Sequence, residues 1–248
     1  MPTQIAVEVH NGRHRTSLTP GLLRAQAVHA PPDRCRLGLV ATTALLLGGD
    51  VVELDVSIGP GAVVELFDVA GTVAYHGRGS AAAWRVRLRL EQGARLRWSG
   101  EPFVVSDGAS VVRSLEVDLA DGAEALVRET VALGRCDEVG GVLRNETVVR
   151  RGGREVFVED QVLDPTGHRT LPGMLANLRL IDTILALGRP GPDDIGDACR
   201  FALPAPGSSV TRYLGTELAA SPLHCAWSSV PLARQQSQPH QDPLLQAT

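Results

Sequence analysis

The feature that most constrains this chain is an alternating apolar and polar segment that returns roughly every thirty residues, each copy broken by a Gly-Ala or Gly-Gly turn. The copies run from Glu53 to Phe67 (ELDVSIGPGAVVELF), Trp84 to Trp98 (WRVRLRLEQGARLRW), Ser114 to Glu129 (SLEVDLADGAEALVRE) and Asn145 to Asp160 (NETVVRRGGREVFVED). In the second copy Trp84, Val86, Leu88, Leu90, Ala94, Leu96 and Trp98 fall on one side. Arg85, Arg87, Arg89, Arg95 and Arg97 fall on the other. A period of two marks β-strands with one buried face.

The turns must keep the apolar members of both strands on the same side of the pleat. A three-residue loop at Glu91-Gln92-Gly93 does so, pairing Leu90 with Ala94, Leu88 with Leu96 and Val86 with Trp98, with glycine at the left-handed position. The same register suits Val56 with Val64 and Val117 with Ala125. In the fourth copy a two-residue Gly152-Gly153 loop pairs Val149 with Val156 and Thr147 with Val158, and sets Arg150 opposite Glu155. Arcs of odd length between stacked sheets satisfy the first three copies equally well. Under either reading the unit buries its apolar face only by stacking on its neighbours, so the expected fold is all-β, of stacked antiparallel or β-helix-like sheets.

The flanks are less regular. Gln4 to His10 and Leu22 to His29 read as strands, followed by an apolar connector that ends in LLLGGD. Beyond Pro165 the run Leu178 to Leu187 reads as a strand, Asp193-Asp194 as the start of a helix through Leu203, SVTRYLG as a strand and ELAASPLHCAWSSV as a broken helix. The expected organisation is one β domain over residues 1–234, with the repeats at 53–164, a few short C-terminal helices, and a disordered Gln/Pro-rich tail at 235–248.

Hydrophobic residues make up 44% of the 248, enough for a sizeable core, but aromatics are only 4%, so that core rests on Val, Leu and Ala. The net charge of -4 offers no general attraction to nucleic acid or anionic lipid. All 24 basic residues are arginine, which excludes lysine Schiff-base chemistry and a P-loop lysine. No apolar stretch reaches membrane-spanning length, no secretory signal opens the chain, and Cys35, Cys136, Cys199 and Cys225 form no C-x-x-C pair. The expectation is a cytoplasmic protein with reduced thiols.

No catalytic triad, nucleophile elbow or HExxH motif is present. The seven histidines are scattered, and His76 beside Tyr75 reads as a loop residue. The carboxylates are sharper. Glu129 interrupts the apolar face Ala123, Ala125, Val127, with Arg128 and Arg135 as candidate partners; Glu101 lies in SGEPFVVSDG, and Glu159-Asp160 closes the fourth unit. A carboxylate on an inward face must be paired, hydrated or functional. The arginine stripe of the second copy reads either as an anion-binding face or as a solvated one.

These residues, in order, resemble the urease accessory protein UreD (UreH) family over about Leu45 to Asp164, and more weakly as far as the Arg-Tyr-Leu-Gly strand near the end. The likeness rests on Gly48-Gly49-Asp50, Gly61-Ala62, Thr72 with Tyr75, Glu101-Pro102, and Glu129 leading into Ala132-Leu133-Gly134-Arg135. The resemblance implies a non-catalytic β-helical scaffold or metallochaperone that acts with UreF, UreG and the urease apoprotein. Its role would be to help load nickel into urease, holding the ion only transiently. It also implies that Thr72, Tyr75, Glu101 and Glu129 line a passage for the ion, where weak oxygen ligands suit transfer better than a His/Cys cage. The rival expectation is a carbohydrate-active enzyme on a β-helical frame, which would need paired carboxylates and stacking aromatics.

Overall fold

The computed structural model describes residues 1–165, 167, 171, 175–176 and 178–232. The expected tail at 235–248, together with His168 and His240, lies outside them.

The repeats form a β-solenoid of two facing sheets. In the first, β1 (Thr3–His10), β5 (Val51–Ile58), β8 (Ala82–Leu90), β11 (Ser110–Leu119) and β13 (Val142–Arg151) run parallel, one from each successive coil. In the second, β4 (Cys35–Ala41), β6 (Val63–Asp68), β9 (Arg95–Ser99) and β12 (Glu124–Leu133) do the same. The turns of the first three copies are therefore arcs that carry the chain from one sheet to the other. Leu88 pairs with Val56 and Val117, not with Leu96, which pairs with Val64 and Ala125.

Each arc is a β-turn closed by the amide of its alanine, as in Ala94 N–H to Glu91 O at 2.9 Å, with glycine at the third position (Gly61, Gly93 and Gly122, φ 65 to 68°). The arcs also stack on one another, Gly61 N–H donating to Gln92 O at 2.9 Å and Gly93 N–H to Asp121 O at 3.1 Å. A hairpin and an arc place the same residues inward, so alternation cannot separate them; the arc prevails because the next coil supplies the strand partners.

Antiparallel hairpins close both ends. At one end β1 pairs with β2 (Arg13–Thr19), and β3 (Leu23–Val28) with β4. At the other, β13 pairs with β14 (Arg154–Leu163), while β15 (Leu180–Leu187), β17 (Ser209–Gly215) and β16 (Cys199–Ala202) extend the second sheet beyond β12. The Gly152-Gly153 turn is the expected hairpin, with both glycines at positive φ and Arg150 opposite Glu155. Just beyond it a bulge skips Val156, so that Val149 meets Phe157 and Thr147 meets Glu159. This single extra residue reverses the parity of β14. Val158 turns outward at 57% exposure and Glu159 turns in.

The core is built from rows that cross the sheets. Ile5, Val56, Leu88, Val117 and Val149 form one such row in the first sheet, each at most 1% exposed. Burial of each contributes about 1.5–3 kcal/mol. On the outer face of that sheet the arginine stripe is neutralised laterally: Arg85 meets Glu53 at 3.4 Å, and Arg87 meets Asp55 at 3.8 Å and Glu116 at 4.0 Å. Strands in parallel register bring acids from both neighbours to Arg87 and from one to Arg85, so this part of the stripe is a solvated charge ladder.

The outer face of the second sheet is covered by α1 (Leu223–Ser229), which packs Leu223, Ala226 and Trp227 on Leu126, Leu180, Ile184 and Tyr213. Arg97 ties the helix down, donating to Trp227 O at 2.8 Å with its guanidinium 4.6 Å from the indole. Beneath it Asp182, fully buried, accepts both arms of Arg128 (2.8 and 3.1 Å) and the hydroxyls of Thr130 and Ser221. Arg128 is thus spent on the outer face and does not partner Glu129.

The helix expected from Asp193 does not form. Gly196 adopts φ +54° and Cys199–Ala202 joins the sheet as β16, so the helical content of the described C-terminal region is α1 and a 3-10 turn at Leu218–Ala220. Among the described residues no helix is long and apolar enough to cross a membrane.

Candidate functional site

The second sheet is broken in one place. β6 stops at Asp68 and pairing resumes in β7 (Thr72–Ala74); in the next coil β9 stops at Ser99 and resumes in β10 (Phe103–Val105). β12 runs unbroken alongside, holding β9 against Glu124–Arg128 and β10 against Val131–Leu133. The gaps align, leaving Glu129 and Thr130 with no strand partner on that side. Two glycines allow this close approach. A Cβ at Gly100 would stand 2.7 Å from Arg128 O, and one at Gly71 2.9 Å from Pro102 O.

Asp68, Thr72, Glu101, Glu129, Trp84 and Arg113 are among the groups that border the resulting slot, a cavity of about 20 Å3. That is room for roughly one water. Trp84 Nε1 and Arg113 Nε, both on its wall, are buried N–H donors with no acceptor among the described residues, so the slot presents donors suited to water oxygens. Three of the four residues expected to line a passage (Thr72, Glu101 and Glu129) meet here. Glu101 is exposed at the rim. Tyr75 lies apart, 41% exposed beyond the end of β7, its amide bonded to Leu46 O.

From the slot a polar file continues between the sheets. In the first sheet the row Val52, Trp84, Arg113, Asn145, Gln161 changes from apolar to polar as it crosses the coils; in the second, Glu129, Thr183 and Arg212 stand in register. Arg113 forms an ion pair with Glu129, donates to Asn145 Oδ1 at 3.1 Å and lies over the Phe103 ring. Arg212 grips Glu159 with both arms at 2.7 and 2.8 Å and reaches Thr183 Oγ1 at 3.3 Å, while Gln161 donates to Glu159 at 3.2 Å. A second cavity of about 20 Å3 lies among these groups and shares Arg113 and Glu129 with the slot. It shares Gln161, Leu163, Ile181 and Arg212 with a cleft of about 360 Å3 at the β14/β16 end, bordered by Asp197, Cys199, Phe201 and Leu214.

Sequence reading singles out Glu129 and Glu159 but not Arg113, Asn145, Gln161, Thr183 or Arg212 of this file, nor Asp68 of the slot. Arg113 occupies an inward position of the alternation Val111, Arg113, Leu115, Val117, so the signal was present. Glu159 reads as a strand-end carboxylate, because the bulge that turns it inward leaves no mark in the pattern. Asp68 shows no sequence signal, since its role follows from the strand break. His76 is a loop residue as expected, its Nδ1 accepting the Arg78 amide at 3.0 Å. Arg135, the other candidate partner of Glu129, bonds Glu138 instead. Among the described residues no three His, Cys, Asp or Glu side chains converge as a metal cage.

Asp68 accepts the Trp98 indole N–H at 3.1 Å and the Glu101 amide at 3.2 Å. Burial pushes its carboxyl up to about 6, against the lowering effect of those two bonds and of Arg113. The folded chain therefore holds a proton that the unfolded chain releases between about pH 4 and 6. The resulting stabilisation is complete below about 4 and lost as pH rises through 6, and is worth at most about 3 kcal/mol. Urea unfolding of Asp68→Asn against the parent at pH 4.5 and 7.5 should show the parent losing stability relative to the variant at the higher pH; a constant difference would contradict the assignment.

Comparison with known proteins decides the family. The family model for UreD urease accessory protein matches residues 7–238. The chain belongs to the UreD urease accessory protein family. The Urease accessory protein UreD 1 of Streptomyces griseus is 45% identical over 224 residues, covering 88% of this chain and 86% of that one. The UreD 1 of Methylobacterium radiotolerans is 31% identical over 206 residues (80% and 68%), and that of Psychrobacter cryohalolentis 28% over 216 residues (79% and 72%). The UreD match takes in both the Leu45 to Asp164 segment and the Arg-Tyr-Leu-Gly strand that carry the sequence resemblance. This chain is accordingly a urease accessory protein and not an enzyme.

Proposed function

We propose that this chain works in urease maturation as a cytoplasmic scaffold, in a complex with UreF, UreG and the urease apoprotein. We further propose that nickel, as cargo, moves through its polar interior between the Glu101 slot and the cleft at the β14/β16 end. The observation that carries this reading is the change of an apolar core row into Arg113, Asn145 and Gln161 facing Glu129, Thr183 and Arg212. A fold that needs only stability has no use for such a row, because desolvated polar groups are costly there. Glu129 is matched by Arg113 and Glu159 by Arg212, so these two carboxylates of the file are balanced at rest. A divalent cation would compete with Arg113 for Glu129 and with Arg212 for Glu159. Isolated carboxylate, amide and hydroxyl oxygens bind nickel weakly enough to release it.

The test is co-purification of the tagged chain with the urease apoprotein, UreF and UreG from a urease-producing host, together with urease activation in a strain lacking the native protein. The complex should form, and Glu101→Ala should keep it while lowering activation several-fold. Absence of any association would overturn the scaffold reading; full activation by Glu101→Ala would remove that glutamate from the route.

A further inference from the structure

The solenoid end remote from β14 and β16 carries a second surface. Both sheets finish there in strands paired on one side only: β2 with β1, and β3 with β4. Between these free edges lies a cleft of about 480 Å3, with Arg13, His14 and Thr16 on the β2 side, Val28 on the β3 side, and Arg34 and Arg36 from the following loop and β4. No acidic side chain lines it. Arg34 is held by the neighbouring Asp33 at 3.1 Å, and Arg36 by Glu65 at 3.5 Å while also lying over the Phe67 ring. Arg13 makes no side-chain hydrogen bond or ion pair with any described residue, so positive charge is left over.

His14 adds a directional element. Its Nε2 accepts the Val63 amide at 3.1 Å, so the neutral ring carries its proton on Nδ1. That Nδ1 is shielded from solvent and has no partner among the described residues. A buried donor without an acceptor is costly, and here it stands in a basic cleft beside an open strand edge. An exposed edge with pockets for alternate side chains is the geometry that captures an extended peptide by strand addition.

We propose that this cleft binds an extended acidic segment of a protein partner, which adds as a strand to the edge of β2 and sets its carboxylates against Arg13, Arg34 and Arg36. The surface lies apart from the polar file, and its occupancy requires neither nickel nor urease.

The probe is a fluorescein-labelled dodecapeptide alternating Glu with Val, followed by polarisation on the full chain, with a Gln-Val peptide as control. The Glu peptide should bind about tenfold or more tightly than the Gln peptide, and weaken as salt is raised. Arg13→Glu with Arg34→Glu should weaken it by about tenfold or more, and Arg154→Glu, at the far hairpin, should leave it unchanged. Amide exchange in Arg13–Thr19 should slow when the peptide is bound. Arg13→Glu alone, whose side chain contacts no described partner, gives a smaller loss in the same direction and guards against a folding defect in the double variant. Equal binding of both peptides, indifference to the arginine substitutions, or displacement by inorganic phosphate beyond that by chloride at equal ionic strength would overturn the proposal, the last outcome marking a small-anion site.

Discussion

Asp182→Ala should be the most damaging single substitution in the described structure, lowering stability by about 5 kcal/mol and the melting temperature by roughly 10–20 °C. Asp182 is fully buried and accepts four hydrogen bonds, two from Arg128 and one each from the Thr130 and Ser221 hydroxyls. Its removal strands the guanidinium of Arg128, a residue 6% exposed, between the second sheet and α1. The remaining contact of Arg128, with His224 Nδ1 at 3.3 Å, cannot balance the charge. Because Ser221 precedes α1, the loss should also loosen the helix from Leu126 and Ile184. Thermal unfolding followed by circular dichroism measures the first effect, and proteolysis near Leu223 the second. A melting point within two or three degrees of the parent would show that the pair is not the anchor its geometry implies.

The second large effect separates breaking an ion pair from replacing it. Glu129→Ala leaves Arg113 buried without its carboxylate and should cost about 3 kcal/mol, the low end for such pairs because Glu129 keeps some solvent exposure. The double variant Arg113→Met with Glu129→Leu removes both charges and fills the space with apolar atoms, and should melt within a few degrees of the parent. Asn145 loses one donor but borders the cavity and can turn to water there. If the double variant is as unstable as Glu129→Ala, the pair is needed for the fold itself, and its polarity calls for no functional explanation.

Local pattern carried much of the architecture into the sequence. The period of two in Trp84 to Leu90 and the glycines at 61, 93 and 122 mark strands and turns directly, because pleat parity and left-handed φ are properties of short segments. Strand partnership is not local. Leu88 satisfies a hairpin with Leu96 and a parallel ladder with Val56 and Val117 with the same inward face, and only the stacking of whole coils chooses between them. The site divides in the same way. Glu129 and Arg113 are legible as polar residues at apolar positions, whereas Glu159 enters the interior through one bulged residue at Val156. Asp68 and Glu101 meet because strand breaks in two successive coils align. Asp182 also sits within an apolar run, LIDTILAL, yet its partner Arg128 is 54 residues away in sequence.

The measurement that bears most directly on the polar interior as a route for the metal is the nickel content of urease matured in the presence of the Arg113→Met, Glu129→Leu chain. The comparison is made in a host lacking the native protein, after confirming that the variant still co-purifies with the urease apoprotein. The expected result is an intact complex and urease with nickel occupancy and activity reduced by about tenfold or more, since an apolar plug closes the file to a hydrated cation. Urease loaded to the parent level through that complex would contradict it, and would leave the chain a scaffold whose interior carries nothing.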